Sequence, residues 1–271
     1  MKILYACFIA CLLTGNAVAD EQPHYTIGII GTGNMGSALG VGLTQNGHTV
    51  VYGSREPSSD KAQGVAEATG GGAVVVSQAE AARRADIVIL AVPWFAVEAL
   101  MPSLGDLSGK ILVDVTTGDV QGEDGYPTLG VETSTSEMIR DWSPGVRVVK
   151  TPFSAAAMIR EPMKHGEPTM TYLASDDRDA KEIIARLSIQ LGFFPLDAGP
   201  LRMAKTIDHL GMLYLTPMMQ GRNHTWVWLP RVDFDLSCVD TEGWFEPVVD
   251  RDNLARFPNL DDVVSECPGR E

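Results

Sequence analysis

From Tyr25 onward the apolar positions fall into two alternating kinds of segment. Short continuous apolar runs that end at glycine, proline or a polar turn predict buried strands. These are Tyr25–Ile30, Thr49–Tyr52, Ala73–Val76, Ile87–Val92, Ile111–Val115, Val146–Lys150, Met170–Ala174 and Phe193–Leu196. The segments between them predict helices. Met35–Asn46 carries Met35, Leu39 and Leu43 at helical spacing, and Gly47 stops it. Lys61–Thr69 ends at the triple glycine Gly70–Gly72. Ser77–Arg84, Phe95–Leu104, Glu137–Trp142, Asp179–Leu191 and Met203–Leu215 follow. Gly118–Thr135 is rich in Gly, Asp, Ser and Thr and reads as a loop. Repeated strand–helix units with strands apolar on both faces predict an α/β fold, a doubly wound, mostly parallel sheet covered on both sides.

The two ends break this pattern. MKILYACFIACLLTGNAVADEQ has one cation, Lys2, then an apolar run from Ile3 to Leu13, and ends in Ala17-Val18-Ala19. That is the layout of a cleavable export signal, cut before Asp20. The run is short for a membrane-spanning helix, so no stable span is expected after cleavage. The chain is then periplasmic or secreted; with a non-functional signal it is cytoplasmic. Beyond about Met219 the periodicity weakens, although Trp226-Val227-Trp228 alternates like a strand. The expected division is a signal peptide over 1–19, one domain over 25–218 and a short irregular extension over 219–271.

Charge and cysteines narrow the partners. The 271 residues carry a net charge of −14, which repels phosphate backbones and argues against nucleic-acid binding. Of four cysteines, Cys7 and Cys11 lie in the signal. Cys238 and Cys267 remain, either as one disulfide suited to an oxidising compartment or as two unrelated thiols.

The first strand runs into Gly31-Thr32-Gly33-Asn34-Met35-Gly36, which is G-x-G-x-x-G between a strand and a helix. In that context the pattern marks a dinucleotide-binding, Rossmann-like NAD(P) fold. Gly31 permits the tight turn, Gly33 lets a pyrophosphate approach the backbone, and Gly36 lets the helix sit close on the strand. The second strand leads into Ser54 and Arg55 rather than the acid that binds the ribose hydroxyls of NAD. A hydroxyl and a guanidinium suit a 2′-phosphate, which favours NADP, although Glu56 follows directly. Lys61 adds either cofactor-directed or merely solvated charge. Ligands of such sheets lie beyond the carboxyl ends of the strands. Ala91, Val92 and Pro93 are therefore expected to flank the cofactor, with Thr116 towards the nicotinamide.

Other chemistry finds little support. The five histidines, His24, His48, His165, His209 and His224, have no metal-like spacing and read as surface or turn residues. No G-x-S-x-G is present. Asp208-His209 reads either as an acid–base pair reaching the cleft or, more simply, as part of a solvated helix face. No catalytic residue stands out.

Taken together, TIGIIGTGNMGSALG, VVYGSR, ADIVILAVPW and LDAGPL at Leu196–Leu201 resemble the NADPH-dependent oxidoreductases typified by the coenzyme F420 (deazaflavin) reductase. The resemblance covers about Tyr25 to Leu215. It extends more distantly to pyrroline-carboxylate reductases and the cytoplasmic domain of metalloreductases. It implies that Thr32, Gly33, Asn34 and Met35 cradle the pyrophosphate and that Ser54 and Arg55 hold the 2′-phosphate. Pro93 and its neighbours would border the nicotinamide. It also implies direct hydride transfer between NADPH and a small-molecule acceptor, a deazaflavin or flavin, by positioning alone. The chain departs from the pattern in its export signal, in TPFSAAAMIR after the sixth strand and in its tail from about Gly221. An exported dinucleotide-binding protein without turnover is the alternative. The apolar last helix also fits a homodimer surface.

Overall fold

The computed structural model describes residues 23–153 and 169–219. The stretch read as an export signal, Cys238 and Cys267, the Trp226–Trp228 segment, His165 and His224 lie outside the described residues, as does most of TPFSAAAMIR.

Among the described residues, ten strands and seven helices appear in the order β1 (Thr26–Ile30), α1 (Asn34–Gln45), β2 (Thr49–Ser54), α2 (Asp60–Thr69), β3 (Val74–Ser77), α3 (Gln78–Arg84), β4 (Ile87–Leu90), α4 (Val97–Leu100), β5 (Ile111–Asp114), β6 (Asp119–Gln121), β7 (Pro127–Leu129), α5 (Thr135–Trp142), β8 (Arg147–Lys150), β9 (Thr169–Ala174), α6 (Arg178–Gln190), β10 (Phe193–Gly199) and α7 (Ala204–Met219). Eight strands form one sheet in the order β10-β9-β8-β5-β4-β1-β2-β3. Neighbours are parallel except β8 and β9, which meet antiparallel through the single pair Lys150↔Ala174. The order reverses at β1, whose neighbours are β2 and β4. That is the switch point where such sheets bind ligands.

The apolar runs become central strands because both faces are covered. Ile27, Ile29, Ile87, Ile89, Ile111 and Val113 point into one core with α1 and α6. Ile30, Val88, Leu90 and Leu112 point into the other, with α3, α4 and Ile139 of α5. Burying a side chain of this size contributes about 1.5–3 kcal/mol, so a one-residue register slip would exchange the two cores.

Two expected elements differ. The stretch read as a loop contains the hairpin β6–β7, with Val120 opposite Thr128. Its turn is closed by Gly122 N–H donating to Tyr126 O at 2.8 Å, and Gly125 takes φ +83°. Strands of three mostly polar residues carry no apolar period. The helix expected over Phe95–Leu104 is one turn of α-helix between two 3-10 turns, Trp94–Ala96 and Met101–Leu104. Pro102 lacks the amide that would continue it. Among the described residues no helix is long and apolar enough to cross a membrane.

Candidate functional site

A cleft of about 340 Å³ opens at the carboxyl ends of β1, β2 and β4. Gly31, Thr32, Gly33, Ser54, Arg55, Ala91, Val92 and Pro93 line it, so the fold gathers eight of the residues expected at the site. Gly31 has φ +121°, and a Cβ there would lie 2.3 Å from Ala91 O. Its amide donates to Gly53 O at 3.0 Å and Ala91 N donates to Ile30 O at 3.0 Å, stitching β1, β2 and β4 at the turn. A Cβ on Gly36 would lie 2.3 Å from Gly31 O, so this glycine sets how closely α1 rests on the loop. Gly33 differs from both. A Cβ there would meet no protein atom within 4 Å, so the space above this residue is open to a ligand.

Gly33 is also the N-cap of α1, with no side-chain cap and no acidic residue in the first turn. Helices α2, α3, α5 and α6 instead start under Ser59, Ser77, Ser134 and Asp177. The amides of Asn34, Met35 and Gly36 precede the first intrahelical bonds, and the helix end adds about half a positive charge. An anion placed over Gly33 meets both. Asn34 is exposed, Met35 packs against the core beneath, and Gly36 is buried. None of these three lines the cleft itself, and what they offer an anion over Gly33 is backbone amide.

At the β2 end, Ser54 Oγ accepts from Glu56 N–H at 3.1 Å. The Arg55 guanidinium is exposed and forms no ion pair among the described residues. Lys61, at the start of α2, and Ser59 face the same cleft, as does Glu56. Two cations and one acid leave a net positive rim on a strongly acidic chain.

Thr116 is not on the cleft wall. It is buried and hydrogen-bonded to Asp114, whose Oδ1 accepts from Thr116 N at 2.9 Å and from its hydroxyl at 2.6 Å. Asp114 Oδ2 accepts from the Thr135 and Ser136 hydroxyls at 2.6 and 2.7 Å. Lys150 Nζ lies 3.3 Å from Asp114 Oδ2 and 2.6 Å from Asp208 Oδ1, and donates to Thr116 O at 2.5 Å and Thr135 Oγ1 at 3.0 Å. The Nζ–Asp208 contact is an ion pair without hydrogen-bond alignment, which leaves Oδ1 short of a bond. All three charged side chains are sealed from solvent.

Burial opposes charge on each of the three. On Asp114 the Lys150 ammonium and three hydroxyls outweigh burial and hold the carboxyl below its usual range. On Lys150 the two carboxylates outweigh it and push the ammonium up. On Asp208 burial prevails, with Asp114 adding repulsion, and the carboxyl is raised.

Asp208 and His209 therefore neither form an acid–base pair nor share a solvated face. Asp208 is buried against β8, while His209 is exposed, with Nδ1 2.7 Å from Lys205 O. His48 is a turn residue, as expected, but not a surface one. It is buried between Tyr25 N–H and Gln190 Oε1, because the turn from α1 into β2 is covered by the end of α6. The three-residue ionic cluster escaped the sequence reading. Its signal is faint: Asp114 and Lys150 each continue an otherwise apolar strand.

The late LDAGPL motif has a structural role. Asp197 Oδ1 accepts from Gly199 N at 2.7 Å and lies 2.8 Å from the buried Lys181 Nζ, which also reaches Gly199 O at 3.1 Å. These bonds fix the exit of β10 towards α7.

Residues 26–118 match the family described as NADP oxidoreductase, coenzyme F420-dependent. The metalloreductase STEAP3 of Rattus norvegicus is 28% identical over 198 residues, covering 73% of this chain and 38% of that protein. The F420-dependent NADP reductase of Methanothermobacter marburgensis is 26% identical over 207 residues, covering 71% of this chain and 91% of that protein. A solved structure from Arthrobacter sp. FB24, assigned as an F420-dependent NADP reductase, superposes with a TM-score of 0.69 at 25% identity, covering 76% of this chain and all of that one. The chain thus spans under half the length of the metalloreductases it matches. Residues 26–118 are thus similar to the coenzyme F420-dependent NADP oxidoreductase family, and beyond them the chain is similar to F420-dependent NADP reductases.

Proposed function

We propose that this chain binds NADP(H) in the β1–β2–β4 cleft and passes a hydride between the nicotinamide and a small planar acceptor of the deazaflavin or flavin class. The observation that carries the binding reading is the pairing of two features in one cleft. Open space over Gly33 adjoins uncapped α1 amides, and the Ser54–Arg55 pair stands at the adjoining strand end. The first fits a pyrophosphate and the second a ribose 2′-phosphate.

In this reading the α1 amides hold the pyrophosphate, and Arg55 with Ser54 anchors the 2′-phosphate. Ala91–Pro93 form the wall along which the other half of the cofactor lies. Bound there, the reduced nicotinamide supplies the hydride. The chain's own contribution is orientation, since the described residues of the cleft present no acid or base beyond Glu56 and Lys61 at its far end. The acceptor class comes from the family and from the F420-dependent relatives. The domain also lies in an exported chain in this reading, because of the N-terminal signal pattern.

The test is a titration of the mature protein with NADPH and NADH, followed by tryptophan fluorescence. It is paired with NADPH oxidation assays against deazaflavin, flavin and ferric acceptors and with N-terminal sequencing. Tight NADPH binding with turnover on a planar acceptor supports the proposal. Tight binding with no turnover on any acceptor leaves a dinucleotide-binding protein without activity, and absence of NADPH binding overturns both. An intact N-terminus on the exported protein would count against signal cleavage.

A further inference from the structure

The buried ionic cluster lies on the side of the cleft where the adenine half cannot be. Arg55 and Ser54 fix the 2′-phosphate end at β2, and the pyrophosphate crosses the switch point at β1. The remaining half of the cofactor therefore runs over β4 and β5. In the sheet Leu90 pairs with Asp114, and Asp114 pairs with Lys150. Leu90 immediately precedes Ala91, the start of the cleft wall. Neighbouring strands are about 4.8 Å apart, so the cluster stands about one to two strand spacings from that wall. It holds two carboxylates and one ammonium, all sealed from water. Three hydroxyls, from Thr116, Thr135 and Ser136, satisfy Asp114. The second carboxylate, on Asp208, shares the Lys150 ammonium and otherwise has the Thr135 amide and hydroxyl at 3.5 and 3.4 Å from its Oδ2, so among the described residues no second cation offsets its charge.

We propose that the Asp114–Lys150–Asp208 cluster discriminates between the two redox states of the cofactor, its surplus carboxylate favouring NADP+ over NADPH. This rests on the NADP(H) reading of the cleft. The two forms differ by one positive charge on the nicotinamide ring and are otherwise nearly the same in shape. Contacts to the 2′-phosphate and pyrophosphate cannot tell them apart. A fixed negative charge beneath the nicotinamide half can, and low polarisability around the cluster preserves the effect. It lowers the energy of the oxidised ring and, by the same attraction, of the positive charge that develops as hydride leaves. Asp208 acts through space and makes no contact with the cofactor. Its place on α7 also makes the docking of that helix part of the device.

The experiment compares equilibrium dissociation constants of NADP+ and NADPH for the wild-type chain and for Asp208→Asn, at low salt and at a series of pH values upward from neutral, because burial raises the Asp208 carboxyl and the effect requires its ionised form. Folding is checked by circular dichroism. Removing one charge at about 10 Å, with an effective dielectric of 20–40, weakens NADP+ relative to NADPH about fourfold to fifteenfold. Asp208→Ser removes the same charge with a smaller side chain and gives the same sign if the Asn variant does not fold. A ratio unchanged in a folded charge-removing variant, or an equal loss for both forms, overturns the inference and leaves the cluster a structural one. Failure of the wild-type chain to bind either form would instead strike the NADP(H) reading itself.

Discussion

The three glycines of the loop face different atoms, and this yields a sharp separation of stability from binding. At Gly36 an added methyl would sit 2.3 Å from Gly31 O and 3.1 Å from Ile29 Cγ2. The nearer obstacle is backbone, which cannot swing aside, so Gly36→Ala should fall near the upper end of overpacking costs, about 3 kcal/mol. For a domain of this size that lowers Tm by about 6–12 °C. At Gly33 the methyl meets nothing within 4 Å, and the backbone, φ −79° and ψ −171°, suits alanine. The loss of a tolerable N-cap residue, a few tenths to about 1 kcal/mol, is offset by a similar gain from restricting the unfolded chain. Gly33→Ala should therefore keep Tm within about 2 °C. Its methyl occupies the space over the α1 amides, and a phosphate pushed outward loses charge-assisted bonds of about 1.5–3 kcal/mol. NADPH affinity should drop about tenfold to 150-fold. Thermal melting and NADPH titration of both variants suffice. A destabilised Gly33→Ala, or one that binds NADPH as the wild type does, would refute the placement of the pyrophosphate.

Two further outcomes are expected. Arg55→Ala should weaken NADPH by about 1.5–3 kcal/mol and leave NADH nearly unchanged in parallel titrations; equal losses would remove the 2′-phosphate role. The ionic cluster sets opposing pH dependences. Asp114, held low, contributes stability that is present above the ordinary carboxylate value of about 3.9 and is lost as pH falls through its native value. Asp208, held high, contributes stability that is full below that ordinary value and is lost as pH rises through its native one. The Tm advantage of wild type over Asp114→Asn should shrink on acidification from about pH 6 to about pH 3, and a constant advantage would contradict the assignment.

The sheet was legible because its strands are buried on both faces, so continuous apolar runs such as IVIL and ILVD have no other use. The glycine loop and the Ser54–Arg55 pair were legible because each sits next to a strand end that the pattern had already located. The hairpin β6–β7 was not, since three-residue strands of Asp, Val, Gln, Pro, Thr and Leu leave nothing periodic to see. The cluster was hidden for another reason. A charged residue at the end of an apolar strand looks like turn chemistry, and only the fold brings residues 114, 150 and 208 within bonding distance. Asp208 and His209 show the limit of adjacency in a helix, where neighbours in sequence point about 100° apart.

The antiparallel junction in the sheet has a mechanical consequence. Strand β9, helix α6 and strand β10 join the remaining six strands through one backbone pair, Lys150↔Ala174. Side chains reinforce that seam: Ser175 Oγ donates to Val148 O at 2.6 Å, the Thr151 and Thr171 hydroxyls are 2.9 Å apart, and Arg147 meets Asp177 at 2.6 Å. A sheet stitched by so short a ladder separates there before it frays elsewhere, so this β–α–β block is a natural unit of partial opening. Lys150 belongs both to the seam and to the ionic cluster. Opening the block would therefore loosen the ionic cluster while the glycine loop stays intact, and amide exchange in β9 and β10 would outpace that in β1 and β4.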